Sequence, residues 1–446
     1  MPVRAGLILG FILTAAAVAR TQPEAPISGG SFDVTHCAVE LDLDVDTGTV
    51  AGRERIELTV LETSPTLVFD SGALVVDAID SGGATLAFAQ RARHLVVTLP
   101  APARAGETLR LAIVYHGVPR TGLTLLAGSA QAYTTYSTSQ WMVAVDGPGD
   151  RATFDLQVTM PAGWRAAGSG REVANRTTRD RTTVQWQQRR EVPSYTFGFV
   201  AGAFTEVRDR RGELALRYLG RGFSDAELRT IFHDTAAMAG FFADRAGVAY
   251  PDASYAQALV TTSAGQELAG LSHMSDAYGR AVLADATATG LIAHELAHQW
   301  WGNLVTCREW THFWLNEGVV TFMAAAYKEH ARGRAAYLAD VEGWRRRLEQ
   351  IRAAGGEKPL VFPDWNRPTT DDRALVYQKG ALALHALREM LGEAAFWDGI
   401  RAYTREFAGK AVTTADFQHA IERASGTRLD SFFDEWVYLR PPAPAR

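Results

Sequence analysis

The chain has 446 residues, 47% hydrophobic and 21% charged, which excludes both wholesale disorder and a many-pass membrane protein. Its 45 basic and 50 acidic side chains leave a net charge of −5, without the basic excess that draws a protein to phosphate backbones, so no nucleic-acid partner is expected. The 2 cysteines, Cys37 and Cys307, make neither a disulfide framework nor a multi-cysteine metal module, so any metal must be held by His, Asp or Glu.

At the N-terminus Arg4 precedes an uncharged apolar stretch from Ala5 to Ala19 that closes on Ala17-Val18-Ala19. This stretch is shorter than the ~20 residues that cross a bilayer as a helix. A basic start, an apolar middle and a small-residue end spell a cleaved export signal over residues 1–19. No cysteine sits at the cleavage point to carry lipid. The expectation is therefore an exported protein, periplasmic or extracellular, with no membrane anchor after signal cleavage. Cys37 and Cys307 could pair in such a compartment, a question that spacing leaves open, as it does the oligomeric state.

From residue 30 to 206 the pattern has period two. Val39, Leu41, Leu43 and Val45 alternate with Glu40, Asp42, Asp44 and Asp46, giving a strand with one dry face. Asp46-Thr47-Gly48 turns the chain, and Ile56, Leu58 and Val60 repeat the alternation, as do His94 to Leu99, Leu109 to Tyr115 and Phe154 to Met160. An N-terminal antiparallel β domain is predicted, with Asn175-Arg176-Thr177 read as a surface loop. The Arg208-Asp209-Arg210-Arg211-Gly212 run reads as a solvated turn at the boundary. A second domain, 207–446, then follows: helical spacing over Ser224 to Ala246, one strand at Tyr255 to Val260, and mostly helix beyond. The fold class predicted is α+β.

In Leu291-Ile292-Ala293-His294-Glu295-Leu296-Ala297-His298, two histidines four apart share one helical face. That spacing lets both imidazoles reach one Zn²⁺, while Glu295 stands beside the metal, free to take a proton from bound water. Such a string arises by chance in roughly 1–2% of chains of this composition, so a third ligand is required. Glu317 follows His298 after residues 299 to 316, in Phe313-Trp314-Leu315-Asn316-Glu317-Gly318. It opens a helix otherwise rich in apolar and small residues, where a charge is costly unless paired or metal-bound. Three protein ligands with an open fourth position make a catalytic site rather than a structural one. Trp300, Trp301 and Trp314 are expected to pack the site walls, and His273 and His312 to be hydrogen-bonded bystanders.

The stretch from Leu291 to Met323 resembles the gluzincin zinc aminopeptidases, the family of aminopeptidase N, aminopeptidase B and the leukotriene hydrolase. Their signature is HExxH followed by a Glu within WLNEG. The resemblance implies a thermolysin-like catalytic domain behind the β domain, one Zn²⁺ per chain on His294, His298 and Glu317, Glu295 as general base, and a peptide substrate. Two further family motifs find counterparts. The loop written GAMEN, whose Glu binds the substrate's free α-amine, corresponds to Ala264-Gly265-Gln266-Glu267-Leu268, with Glu267 in the Glu position and Ala264, Gly265, Gln266 and Leu268 departing from the pattern. The Y-x-K-G string, whose tyrosine donates to the oxyanion, is met by Val376-Tyr377-Gln378-Lys379-Gly380. The family also uses a glutamine of the β domain, for which the place to look is Gln131 to Trp141.

The implied activity is hydrolysis of the N-terminal peptide bond by a short two-domain member of the family. Endopeptidase or epoxide hydrolase action on the same site, and a zinc-binding protein without turnover, stand as alternatives. The short remainder after Tyr377 further implies an open cleft with no carboxylate anchor from a helical C-terminal domain.

Overall fold

The computed structural model describes residues 28–262, 265–362, 365 and 367–440. The export signal over 1–19, Ala264 of the amine-binding run and the tail from Pro441 lie outside them. Among the described residues no helix is long and apolar enough to cross a membrane.

The alternation read around Val39 produces strand Phe32–Asp44, whose Val39, Leu41 and Leu43 are buried while Asp42 and Asp44 face water. That strand lies near the centre of an eight-stranded sheet, beside Thr49–Val60 on one edge and Arg151–Pro161 on the other. Its pairing with Thr49–Val60 is antiparallel but that with Arg151–Pro161 is parallel, so the sheet is mixed and the wholly antiparallel expectation is corrected. A parallel neighbour distant in sequence leaves no hairpin signal. Three- and four-stranded sheets complete this unit, and Asn175 sits on strand Arg171–Thr177, not in a loop. Its core includes Phe154, stacked on Phe197 with ring centroids 4.1 Å apart.

The Arg208-Asp209-Arg210-Arg211 run is also strand rather than turn. Thr205–Arg211 pairs with Leu214–Gly220 and forms the edge of a five-stranded sheet. Charged side chains are a common guard on such an exposed edge. The sheet continues through Ser254–Val260 and Leu271–Ser275 to Gln266–Leu268, so one predicted strand is joined by four others. The two strands nearest the metal centre are buried on both faces and show no alternation.

Helices α1 (Asp225–Ile231) and α2 (Thr235–Ala246) replace the single helix expected over Ser224 to Ala246. After α3 (Asp276–Ala284) come α4 (Gly290–Ala297), α5 (Trp314–Arg332), α6 (Arg334–Ala353) and α7 (Thr370–Ala374), the last running through a π-helical turn, Leu375–Lys379, into α8 (Gly380–Leu391). Helices α9 (Glu393–Phe407) and α10 (Thr414–Ser425) pack behind them. Trp300, Trp301 and Trp314 are 0–1% exposed in this helical core, with indole N–H groups bonded to Val248 O, Thr404 Oγ1 and Thr414 Oγ1. They support the helices from behind instead of lining the site. Cys37 and Cys307 are free thiols buried in separate cores, which answers the pairing question.

The β unit and the helical unit share a third apolar cluster, in which Tyr133, Val200 and Phe204 meet Leu219, Ala258 and Leu271. Beside it Arg151 of the β unit is buried, donating to Glu191 O at 2.8 Å, Asn303 O at 2.9 Å, Leu304 O at 3.3 Å and to Thr306 Oγ1. Burial, together with the neighbouring Arg190, lowers its pKa to about 10, so it remains charged at neutral pH. Replacing it by a similar-sized apolar side chain strands these carbonyls. The expected outcome for Arg151→Met is a loss of about 2–4 kcal/mol in urea unfolding.

Candidate metal centre and active site

Helix α4 carries His294 in its last turn, and His298 caps its C-terminus, so one face presents both rings. Glu317 comes from the first turn of α5. His294 Nε2 and Glu317 Oε2 are 3.2 Å apart, His298 Nε2 and Glu317 Oε2 3.5 Å, and the two Nε2 atoms 3.2 Å. Three donors held about 2.05 Å from a tetrahedral zinc stand roughly 3.3 Å from one another. The triad therefore already has the spacing that a zinc ion needs. His298 Nδ1 lies 3.1 Å from Trp301 O, and an Nδ1–H donated there leaves Nε2 bare for metal.

Two carboxylates stand against this triad. Ligand atoms of Glu267, Glu295 and His298 lie within 4.8 Å of one another. Glu267, Glu295 and Glu317 are only 1%, 4% and 1% exposed. Burial, with Glu317 nearby, raises the Glu267 pKa to about 7 against the pull of His298. Glu295 is raised well above its ordinary value, first by burial and then by the other two carboxylates. For Glu317, burial is outweighed by the two histidines, which draw it down to about 2. Glu295 Oε2 and Glu267 Oε1 are buried without a hydrogen-bond partner. Three buried carboxylates this close, two of them with an oxygen left without a partner, favour a bound cation, and the donors present suit zinc.

Several devices hold the carboxylates in place. A Cβ at Gly265 would fall 2.1 Å from Glu295 Oε1, so only glycine lets the chain pass that carboxylate. Gln266 donates to Glu267 Oε2 at 2.9 Å and accepts from Tyr136 N at 2.8 Å, which gives a structural task to one departure from the family's loop. Gln299, just beyond His298, bonds Gly270 N at 2.9 Å and Leu268 O at 3.1 Å, tying the Glu267 strand to α4. Asn303 Nδ2 donates to Glu267 O at 3.0 Å. Beside Glu317, Asn316 accepts from Cys307 N at 3.0 Å and donates to the Tyr195 hydroxyl at 3.0 Å, which itself donates to Gly302 O.

The Tyr377 ring lies parallel to that of His294, 5.8 Å between centroids and 6° between planes. Burial, reinforced by the three carboxylates, raises its pKa well above the ordinary value and keeps it a phenol, able to donate. It sits on the π turn, which a spacing argument for an α-helix does not reveal. Lys379, 1% exposed, bonds Glu357 Oε1 at 2.9 Å and Lys358 O at 3.0 Å and so pins that turn. The bystander reading of His273 and His312 matches their bonds to Thr134 O at 2.8 Å and Thr414 Oγ1 at 2.9 Å.

All six predicted site residues line one cleft of about 710 Å³ between the β unit and the helices. Sequence reasoning missed Tyr136, which enters the cleft from the β unit with a left-handed backbone (φ 45°). It lies inside the segment Gln131 to Trp141, but Gln131 itself is buried, accepts from Thr261 N at 3.0 Å and is not among the residues lining the cleft. An aromatic residue at positive φ is uncommon and marks a constrained position, yet no residue pattern announces it.

Residues 271–436 match the Peptidase family M1 domain. Aminopeptidase N of Streptomyces lividans is 26% identical over 312 residues, 65% of this chain and 35% of that protein. Leukotriene A-4 hydrolase of Xenopus laevis is 25% identical over 431 residues, 89% of this chain and 69% of that one. A crystal structure of an M1 zinc metallopeptidase from Deinococcus radiodurans, a glutamate-to-alanine mutant bound to a Tyr-Ser-Ala substrate, superposes with a TM-score of 0.79 at 28% identity, covering 94% of this chain and 96% of that one. The chain spans about a third or less of the length of the first curated relatives it matches.

The approach of α5 to α8 is what brings Glu317 and Tyr377 together. A Cβ on Gly318 would stand 2.9 Å from Gly380 Cα and 3.0 Å from Val376 O. Gly318→Ala is expected to cost about 1–3 kcal/mol through overpacking and to lower the zinc retained after dialysis, read by denaturation and by metal analysis.

Proposed function

Because the chain belongs to peptidase family M1, the gluzincin aminopeptidases, we propose that it is a zinc aminopeptidase cleaving the first peptide bond of peptides. The observation that carries this reading is the buried, unpartnered Glu267 Oε1 in the same pocket as the His294, His298 and Glu317 triad. A carboxylate fixed there suits the free α-ammonium of a substrate and aligns the first carbonyl with the triad.

One zinc per chain, held by His294, His298 and Glu317, would supply Lewis acidity at that carbonyl and at the attacking water. Glu295, beside the triad and not part of it, takes the proton from water and returns it to the leaving amine. The Tyr377 phenol donates to the carbonyl oxygen as it gains charge. Tyr136 walls the cleft from the β unit. The substrate-bound Deinococcus radiodurans structure supports a peptide as the ligand class. We also propose that the protein is exported, on the strength of Arg4, the uncharged Ala5 to Ala19 stretch and Ala17-Val18-Ala19.

An aminoacyl fluorogenic amide tests the reading. Wild type is expected to hydrolyse it, and a chelator to stop it. Glu295→Gln should retain one zinc yet lose about 10²–10⁴-fold in kcat, the contribution of a positioned acid–base. Full activity in that variant would end the scheme.

A further inference from the structure

The cleft has two poles, and only one is acidic. Glu267 meets His298 at the C-terminal end of α4, whereas Thr289, the N-cap residue, marks the other end of the helix, about 13 Å away at 1.5 Å per residue. A peptide with its amine on Glu267 that follows the cleft past Glu295 and His294 would run toward Thr289, which also lines it. Tyr377 stacks on His294, one turn nearer that far end than His298. The helix carrying Tyr377 therefore borders the leaving-group side.

That side gathers cations. Lys328, Arg332 and Arg373 all line the cleft. Lys328 is taken by Asp340 at 2.7 Å. Arg332 donates to Thr289 Oγ1 at 3.4 Å and lies among the charges that lower the pKa of Asp285, after that residue's own bonds to Thr287. Arg373 is exposed to the cleft and makes no ion pair or side-chain hydrogen bond among the described residues. Its acidic neighbours are engaged elsewhere, Asp371 with Arg347 and Asp372 with Lys358. The start of α4 is not a competing anchor, because the Leu291 and Ile292 amides already donate to the Tyr278 hydroxyl.

Building on the aminopeptidase reading, we propose that Arg373 is a specificity residue that binds a substrate carboxylate one or two residues beyond the scissile bond. Arg373 stands four residues before Tyr377, about 6 Å along the helix. An extended peptide advances about 3.5 Å per residue, so the end of a dipeptide or tripeptide falls within reach of a guanidinium at that distance. A free guanidinium offers a planar fork to a carboxylate. The catalytic unit thereby supplies a carboxylate contact from its own helix.

Binding and turnover separate this proposal from the reading beneath it. Calorimetry on zinc-loaded Glu295→Gln compares a tripeptide with its C-terminal amide, with and without Arg373→Ala. The acid is expected to bind about tenfold more tightly than the amide, near the lower end for a charge-assisted bond open to water, and Arg373→Ala to erase the difference. Arg373→Lys should restore part of it. In the Glu295-intact enzyme, Arg373→Ala should raise KM for the tripeptide and leave hydrolysis of an aminoacyl fluorogenic amide, which has no carboxylate, unchanged. An amidated tripeptide with glutamate at its third position tells the two carboxylate sources apart: dependence on Arg373 there assigns the contact to acidic side chains, its absence to the chain terminus. Equal binding of all three peptides, or equal loss in Arg373→Ala for all of them, overturns the proposal, whereas failure of the aminoacyl amide alone to react overturns only the aminopeptidase reading.

Discussion

Glu267, Glu295 and Glu317 place three carboxylates in one pocket, each at most 4% exposed, and two histidines alone cannot balance them without taking protons that would destroy their use as ligands. Burying charge without a partner costs several kcal/mol per ion even after the protein relaxes. A dication on His294, His298 and Glu317 removes two of the three negative charges, and the ammonium of a bound peptide removes the third. Burial, and then the neighbouring carboxylates, raise the pKa values of Glu267 and Glu295, the direction expected of carboxylates crowded together. A metal on the triad together with a free N-terminus on Glu267 would leave the site neutral. The proposed preference for a peptide's first residue would thus follow from charge balance as much as from shape.

The rest of the molecule is arranged to keep those charges close. Helix α4 supplies the metal's nitrogen donors, and Gln299 and Asn303 just beyond it grip the strand that carries Glu267. Gly318 and Gly380 let α5 and α8 touch, so the ligand on one helix faces the phenol at the head of the other. The β unit takes part as well: Arg151 and Tyr195 hold the turn after His298, and Tyr136 closes the cleft. A catalytic unit without this support would lose partners for the Gly302, Asn303 and Leu304 carbonyls.

What was legible in the sequence follows from how far along the chain each feature reaches. Two histidines four apart need only a helical turn, and the alternation at Val39 to Val45 needs only a strand with one wet face, so both were readable from local pattern. Glu317, Glu267 and Tyr377 needed the family's motifs to connect them, because their convergence depends on how α4, α5, a strand and a π turn pack. The parallel neighbour of Phe32–Asp44 and the doubly buried strands around Glu267 left no period to read. Charges on Thr205–Arg211 imitated a turn because an edge strand is guarded by charge. The tryptophans near the motif suggested a lined cleft, yet large apolar surfaces gain more by filling the helical core. Tyr136 and Arg373 were out of reach, since their importance lies in what surrounds them and not in any residue beside them.

The most direct measurement compares hydrolysis of one peptide with its α-amine free and with the same amine acetylated, on the zinc-loaded protein and on Glu267→Ala. Charge balance predicts that acetylation, by removing the ammonium that Glu267 awaits, lowers kcat/KM by about a hundredfold or more in the wild type, the scale of a lost buried ion pair, and far less in Glu267→Ala. Equal rates for the two peptides in the wild type would contradict it, because the third carboxylate would then have no cation to meet.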